Sequence, residues 1–232
     1  MVLSKVSFQI GNANLREDAM FSNQGEGFQW AALTVLGLVA GLALALPLGV
    51  PLFAILGAMA GTPVVLSIVG LGLGTAQWPI IRRHVASSGW WIVVSALGMG
   101  VGLTAGVILV EQVGRAVIGG QVNFRMLGVA ARAASFGTIG MVGGACLGLA
   151  QWLVLRRHAA SCKSWISVNA LSLAVGLALG SLLADVLVAR SGSVASIGIM
   201  LVIGSTLAGA CTAKALAKIF SPGVREVSAA QR

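Results

Sequence analysis

The chain has 232 residues, of which 57% are hydrophobic, 32 are glycine and only 9% are charged. A soluble domain carries about a quarter of its residues as charges, so this composition would expose apolar patches too large for water and excludes soluble globular, disordered, collagen-like and disulfide-framework classes. The formal net charge is +9, yet no soluble domain is left to present a basic patch, so nucleic acid is not an expected partner.

Residues 1–28 mix Lys5, Arg16, Glu17, Asp18 and Glu26 with scattered polar side chains. They contain no apolar core followed by a small-residue cleavage site, and read as a retained polar tail. No charge then occurs between Glu26 and Arg82, a run of 55 residues. That is too long for one crossing and suits two. Four further charge-free runs follow, Val85–Val110, Ala133–Leu155, Ser164–Ala184 and Ser191–Ala213, each close to the roughly 20 residues a helix needs to cross about 30 Å of hydrocarbon. The expected fold is an all-α polytopic membrane protein with six transmembrane helices, near Trp30–Leu46, Leu52–Ile80, Trp90–Val110, Met126–Leu155, Trp165–Leu187 and Val194–Leu216. Pro47 and Pro51 divide the first long run, because proline lacks the amide donor and clashes with the preceding turn. A second polar tail covers 220–232. The apolar runs lack the alternation that strands of a membrane barrel require.

With six spans, both termini share a side with the second and fourth loops. That side holds Lys5, Arg16, Arg82, Arg83, Arg156, Arg157, Lys163, Lys214, Lys218, Arg225 and Arg232, against Arg115, Arg125, Arg132 and Arg190 opposite. The positive-inside rule then puts both termini in the cytoplasm. The positive excess is topological, placed in short loops facing anionic headgroups. Trp30, Trp78, Trp90, Trp91, Trp152 and Trp165 all fall at the expected cytoplasmic helix ends, as an interfacial belt would.

An internal repeat organises the chain. Gly70–Gly106 and Gly144–Gly180, compared at an offset of 74 without gaps, are identical at 20 of 37 positions. Ala76-Gln77-Trp78, Arg82-Arg83-His84, Trp91-Ile92 and Val101-Gly102-Leu103 recur as Ala150-Gln151-Trp152, Arg156-Arg157-His158, Trp165-Ile166 and Val175-Gly176-Leu177. Trp30, Gly37 and Gly41 match Trp91, Gly98 and Gly102 at an offset of 61, and the last helix, with Gly204 and Gly209, is a worn copy of the Gln-Trp type. The expected unit is a hairpin of two helices, repeated in parallel over about 29–84, 90–158 and 164–219. At these motifs the chain resembles a group of uncharacterised bacterial multi-pass membrane proteins, in which a Gly-x-x-Gln-Trp-x-x-Leu-Arg-like helix end precedes a Trp-initiated, glycine-rich helix. The resemblance implies a bacterial cytoplasmic (inner) membrane and transfers no activity, cofactor or site residue.

Glycines at four-residue steps share a helix face and let backbones approach. Gly98, Gly102 and Gly106, then Gly140, Gly144 and Gly148, and Gly176 with Gly180 form such stripes. They either pack the chain's own helices or leave one stripe free for a partner helix. Gln77 and Gln151 lie about one turn inside the cytoplasmic boundary, where a buried amide needs a partner. They bond to each other, to neighbouring backbone or to a ligand in a central cavity. Arg82, Arg83, Arg156 and Arg157 read as stop-transfer and headgroup contacts. His84 and His158 have no Cys, Asp or Glu at metal-ligand spacing, so no metal site is expected. Glu111 and Asp185 reach the outer boundary, where Glu111 can pair with Arg115 four residues on. Cys146, Cys162 and Cys211 have no motif spacing and read as reduced and structural.

No phosphate loop, nucleophile elbow or His-Glu-x-x-His pair occurs, and Gly70–Gly74 and Gly98–Gly102 lie in apolar spans rather than after strands. The expected function is a non-enzymatic membrane scaffold or accessory subunit that binds partner helices, or further copies of itself, and the lipid bilayer. The alternative is a small transporter or channel with a path between repeats near Gln77 and Gln151.

Overall fold

The structure, a computed structural model, describes the backbone of residues 2–85, 88–124, 126–156, 164–187 and 194–219, and the side chains within 25–85, 88–117, 119–124, 126–156, 164–184 and 202–217. The C-terminal tail 220–232, Arg157, His158, Cys162 and Lys163, and the side chains of residues 1–24 and of Asp185 fall outside the described residues, whereas the backbone of the expected N-terminal polar tail is helical from Val2. Five helices form, α1 (Val2–His84), α2 (Gly89–Ile118), α3 (Val129–Leu155), α4 (Ser164–Leu187) and α5 (Val194–Ile219), and the described residues contain no strand. Four helices are long and apolar enough to cross a membrane, over Gly25–His84, Gly89–Val117, Val129–Leu155 and Ser164–Ala184, while α5 adds the shorter apolar stretch Val202–Ala217. Their outward faces carry side chains such as Ile55 at 78% exposure and Met59 at 87%. Such a surface suits hydrocarbon rather than water.

The helix count differs from the expected six because the first long run is not divided at Pro47 and Pro51. Both, with Pro63 and Pro79, lie inside α1. In an apolar bundle, neighbouring helices and small local adjustments re-satisfy the carbonyls that proline frees. The break comes instead at Gly57 (φ 71, ψ 171), a backbone region open in practice only to glycine. Beyond it the helix runs back along itself, with Gly49 against Val65, Gly41 against Val69, and Gly37 against Leu73 and Ala76. A first arm, 25–56, thus lies antiparallel to a second arm, 58–84. Helix α2 continues past the expected Val110 to Ile118 and ends at Gly119, whose φ of 69 closes the last turn with an N–H donated to the Arg115 carbonyl.

The elements close a ring. Each helix packs on the next in sequence, and α5 returns to α1. The second arm meets α2 through Gly70 and Gly74, which face Ser95 and Ile92; α5 meets the first arm through Gly209, which faces Ala31 and Thr34.

The turn at Gly57 yields a direct check. Gly57→Val should cost about 1–3 kcal/mol for the forced backbone region and lower the unfolding midpoint in detergent. Gly89→Ala, whose Cβ would meet nothing within 4 Å, should stay within about 0.5 kcal/mol of the parent. Equal midpoints for the two variants would refute Gly57 as the obligatory turn.

Candidate functional site

Three of the six tryptophans do not form a belt. Trp30, Trp91 and Trp165 are 0% exposed and meet edge to face, with ring centroids 6.0, 6.1 and 6.2 Å apart. Close backbone approach brings them together. Gly74, Gly148 and Gly209 lie against Ile92, Ile166 and Ala31, in each case the residue after one of these tryptophans. A Cβ at any of the three would push the neighbouring helix away from the indoles. Trp90 stays at the surface with 64% exposure, and Trp78 and Trp152 are half-buried. The expectation of a belt of six therefore fails for Trp30, Trp91 and Trp165, which helix rotation turns inward.

Each buried indole N–H has an acceptor on a neighbouring helix. Trp91 Nε1 donates to Gln77 Oε1 (3.2 Å) and Trp165 Nε1 to Gln151 Oε1 (3.1 Å), while Trp30 Nε1 donates to Thr212 Oγ1 (2.9 Å). The amides pass the chain on. Gln77 Nε2 donates to Thr34 Oγ1 (2.9 Å) and Gln151 Nε2 to Ser95 Oγ (3.0 Å). Thr34 and Thr212 then donate to the carbonyls of Trp30 and Ala208, and Asn169 Nδ2 donates to the carbonyl of Trp165. Gln77 and Gln151 thus bond neither to each other nor across an open space. They join tryptophan to hydroxyl across helix boundaries.

Four of these polar partners were not singled out by motif. Thr34, Ser95 and Asn169 each stand four residues after Trp30, Trp91 and Trp165, and Thr212 follows Gln151 by the same 61 residues that separate Trp91 from Trp30. Extending the repeat register beyond identical residues would have found them. Thr212 is the shortened counterpart of the glutamines, in the helix that has lost the Gln-Trp pair.

At the same end, the Arg82 guanidinium lies 4.8 Å from the Trp78 ring centroid and that of Arg156 5.4 Å from Trp152. Both pairs are four residues apart, so each arginine stands one turn beyond its indole. Arg83 and His84 approach the Glu26 carboxylate at 3.8 and 3.4 Å, which ties the start of the first arm to the end of the second. At the opposite end Arg115 pairs with Glu111 at 3.3 Å, as the spacing predicts. There the α2–α3 loop lays Phe124 on Phe136 with centroids 5.4 Å apart.

The glycine stripes are occupied within the chain. Gly98, Gly102 and Gly106 of α2 face Leu147, Gly143 and Ile139 of α3; Gly140, Gly144 and Gly148 of α3 face Leu173, Asn169 and Ile166 of α4; Gly176 faces Gly204 of α5. Gly180 is buried. Among the described residues no three His, Cys, Asp or Glu side chains converge as a metal site, and Cys146 and Cys211 are free thiols. The arrangement places guanidinium groups against indoles at one end, with apolar side chains along the outer faces of the helices. No protein-family model matches the chain, and no curated protein or solved structure shows significant similarity to it.

Gln77→Leu should strand the Trp91 N–H and destabilise the protein by about 1–2 kcal/mol. In a double-mutant cycle with Trp91→Phe, which removes the donor, the coupling should be about 0.6 kcal/mol and at most about 1.7 kcal/mol, the average and the maximum for hydrogen bonds between membrane helices. Strictly additive losses would mean that this bond does not hold the two helices in register.

Proposed function

We propose that the protein is a non-enzymatic scaffold or accessory subunit of a bacterial cytoplasmic membrane, built as three tandem hairpins with both termini in the cytoplasm. The two arms of α1 then count as separate crossings, making six. The recurrence of contacts supports this reading. Gly41, Gly102 and Gly176 face Val69, Gly143 and Gly204 at successive helix pairs, and these positions are related by the same offsets of 61 and 74 as the tryptophans. Equivalent helices therefore meet equivalent neighbours around the ring, which is what parallel repeats about an axis along the membrane normal produce.

The observation that carries the lipid-binding part is the pair of Arg-on-Trp stacks at one end of the bundle. An indole in the interface and a guanidinium one turn further out match the boundary of an anionic leaflet. The glycine faces build the bundle itself, so partner helices meet the exposed apolar ridges outside it, including Leu71, Val101 and Leu171. The alternative, a small transporter or channel, draws on an apolar cavity along the bundle axis. Its path near Gln77 and Gln151 has to pass three closely packed indoles and two amides already engaged.

Mild-detergent extraction followed by native mass spectrometry should give a species heavier than the 23.5 kDa chain. A monodisperse monomer under those conditions would remove the main support for a subunit role. The double variant Arg82→Ala, Arg156→Ala should retain less phosphatidylglycerol, by about 1 kcal/mol per arginine. Unchanged retention would dissociate the Arg-Trp pairs from headgroup binding.

A further inference from the structure

The bundle encloses an apolar cavity of about 330 Å³ on its axis. The helices that carry the buried tryptophans line it in register. Leu38, Met99 and Leu173 stand one turn beyond Thr34, Ser95 and Asn169 and are buried at 5%, 2% and 7% exposure, forming a floor above the tryptophan layer. Leu42, Leu103 and Leu177 make the next ring. Leu46, one further turn along and 43% exposed, also lines the cavity. The far end is therefore shared with the lipid-facing surface, while the near end is closed by side chains and by the hydrogen-bonded tryptophans behind them.

The wall offers almost nothing to a polar guest. Its one polar side chain is that of Ser205, whose hydroxyl already donates to the Val202 carbonyl at 2.9 Å. A water needs two to four polar partners to stay in such a space. An apolar cavity of about 150 Å³ already takes benzene, so this one has room for roughly twelve carbons. From Leu38 to Leu46 the helix rises about 12 Å. Spread over that length, the volume is the width of one hydrocarbon chain.

We propose that the cavity is a binding site for a single acyl tail of a membrane lipid, inserted lengthwise from the Leu46 end and stopped at the Leu38, Met99 and Leu173 floor. A bilayer surrounds the chain with this ligand, and filling the void restores the dispersion contacts that its walls otherwise lack. The inference rests on the chain lying in a bilayer, and not on its having a protein partner.

The test is native mass spectrometry of the full chain in a bile-salt detergent, which has no alkyl tail to compete, with added dilauroyl-phosphatidylglycerol. One tightly held adduct per chain is expected. Leu103→Trp and, from another wall, Leu177→Trp should each weaken it at least tenfold by filling the space. Leu171→Trp, on the outer face at 58% exposure, should retain it. Dodecane, which has no headgroup, should displace the adduct from the unaltered protein, so the test does not depend on whether the variants fold. Undiminished binding in folded filled variants, failure of dodecane to compete, or preferential retention of an isoprenoid lipid would each overturn the proposal. The partner extraction and the arginine variants are read separately, so failure here leaves the subunit reading standing.

Discussion

Three indole N–H groups, fully buried in the bundle, constrain the rest of the structure. In an interior that offers no solvent, each must find an acceptor on protein or lose the full desolvation energy of the group. The acceptors are Gln77, Gln151 and Thr212, each on a neighbouring helix. Satisfying them therefore fixes the rotation and height of one helix against the next. The edge-to-face ring contacts contribute about 0.5–1.5 kcal/mol per pair beyond burial, comparable with the hydrogen bonds, so the two act together. They favour the same helix rotation.

That rotation is possible only because glycine stands where helices cross. Gly74, Gly148 and Gly209 admit the backbone beside each buried tryptophan, and a second set, Gly41, Gly102 and Gly176, does the same two to three turns further on. Backbones this close maximise dispersion contacts, which in lipid must replace the hydrophobic drive that water would supply. The same closeness uses up the glycine faces. What remains outside is a surface of leucine, valine, isoleucine and methionine, met by hydrocarbon without cost.

The two ends of the bundle are chemically unequal, and the repeat explains why. Every helix junction at the tryptophan end for which side chains are described carries arginine against an indole, as in Trp78 with Arg82 and Trp152 with Arg156. Among the described residues, the opposite end has the Glu111–Arg115 pair, an Arg132 guanidinium donating to the Leu127 carbonyl, and a loop held down by Phe124. Between them the axis changes from polar to apolar within two helical turns, from the Gln and Thr layer to the leucine-lined cavity. Gly204, in the register that Val69 fills in the α1 second arm, lines the cavity without a side chain to fill it.

The sequence by itself determined the apolar helical class, the repeat, and the polar status of Gln77 and Gln151, because these depend on composition, run length and local spacing. It also placed Arg115 on Glu111, an interaction within one turn. It misjudged the first break, since proline signals a break locally while Gly57 supplies one by a backbone angle that becomes necessary only when the two arms pack. It read all six tryptophans alike, because an indole at a helix end is the same residue whether it faces lipid or the axis. Only the tertiary structure decided that three turn inward, that Thr34, Ser95, Asn169 and Thr212 complete their hydrogen bonds, and that a hollow remains beyond them. The direction a side chain faces is set by the rotation of its helix, and that rotation is fixed by neighbours distant in the chain.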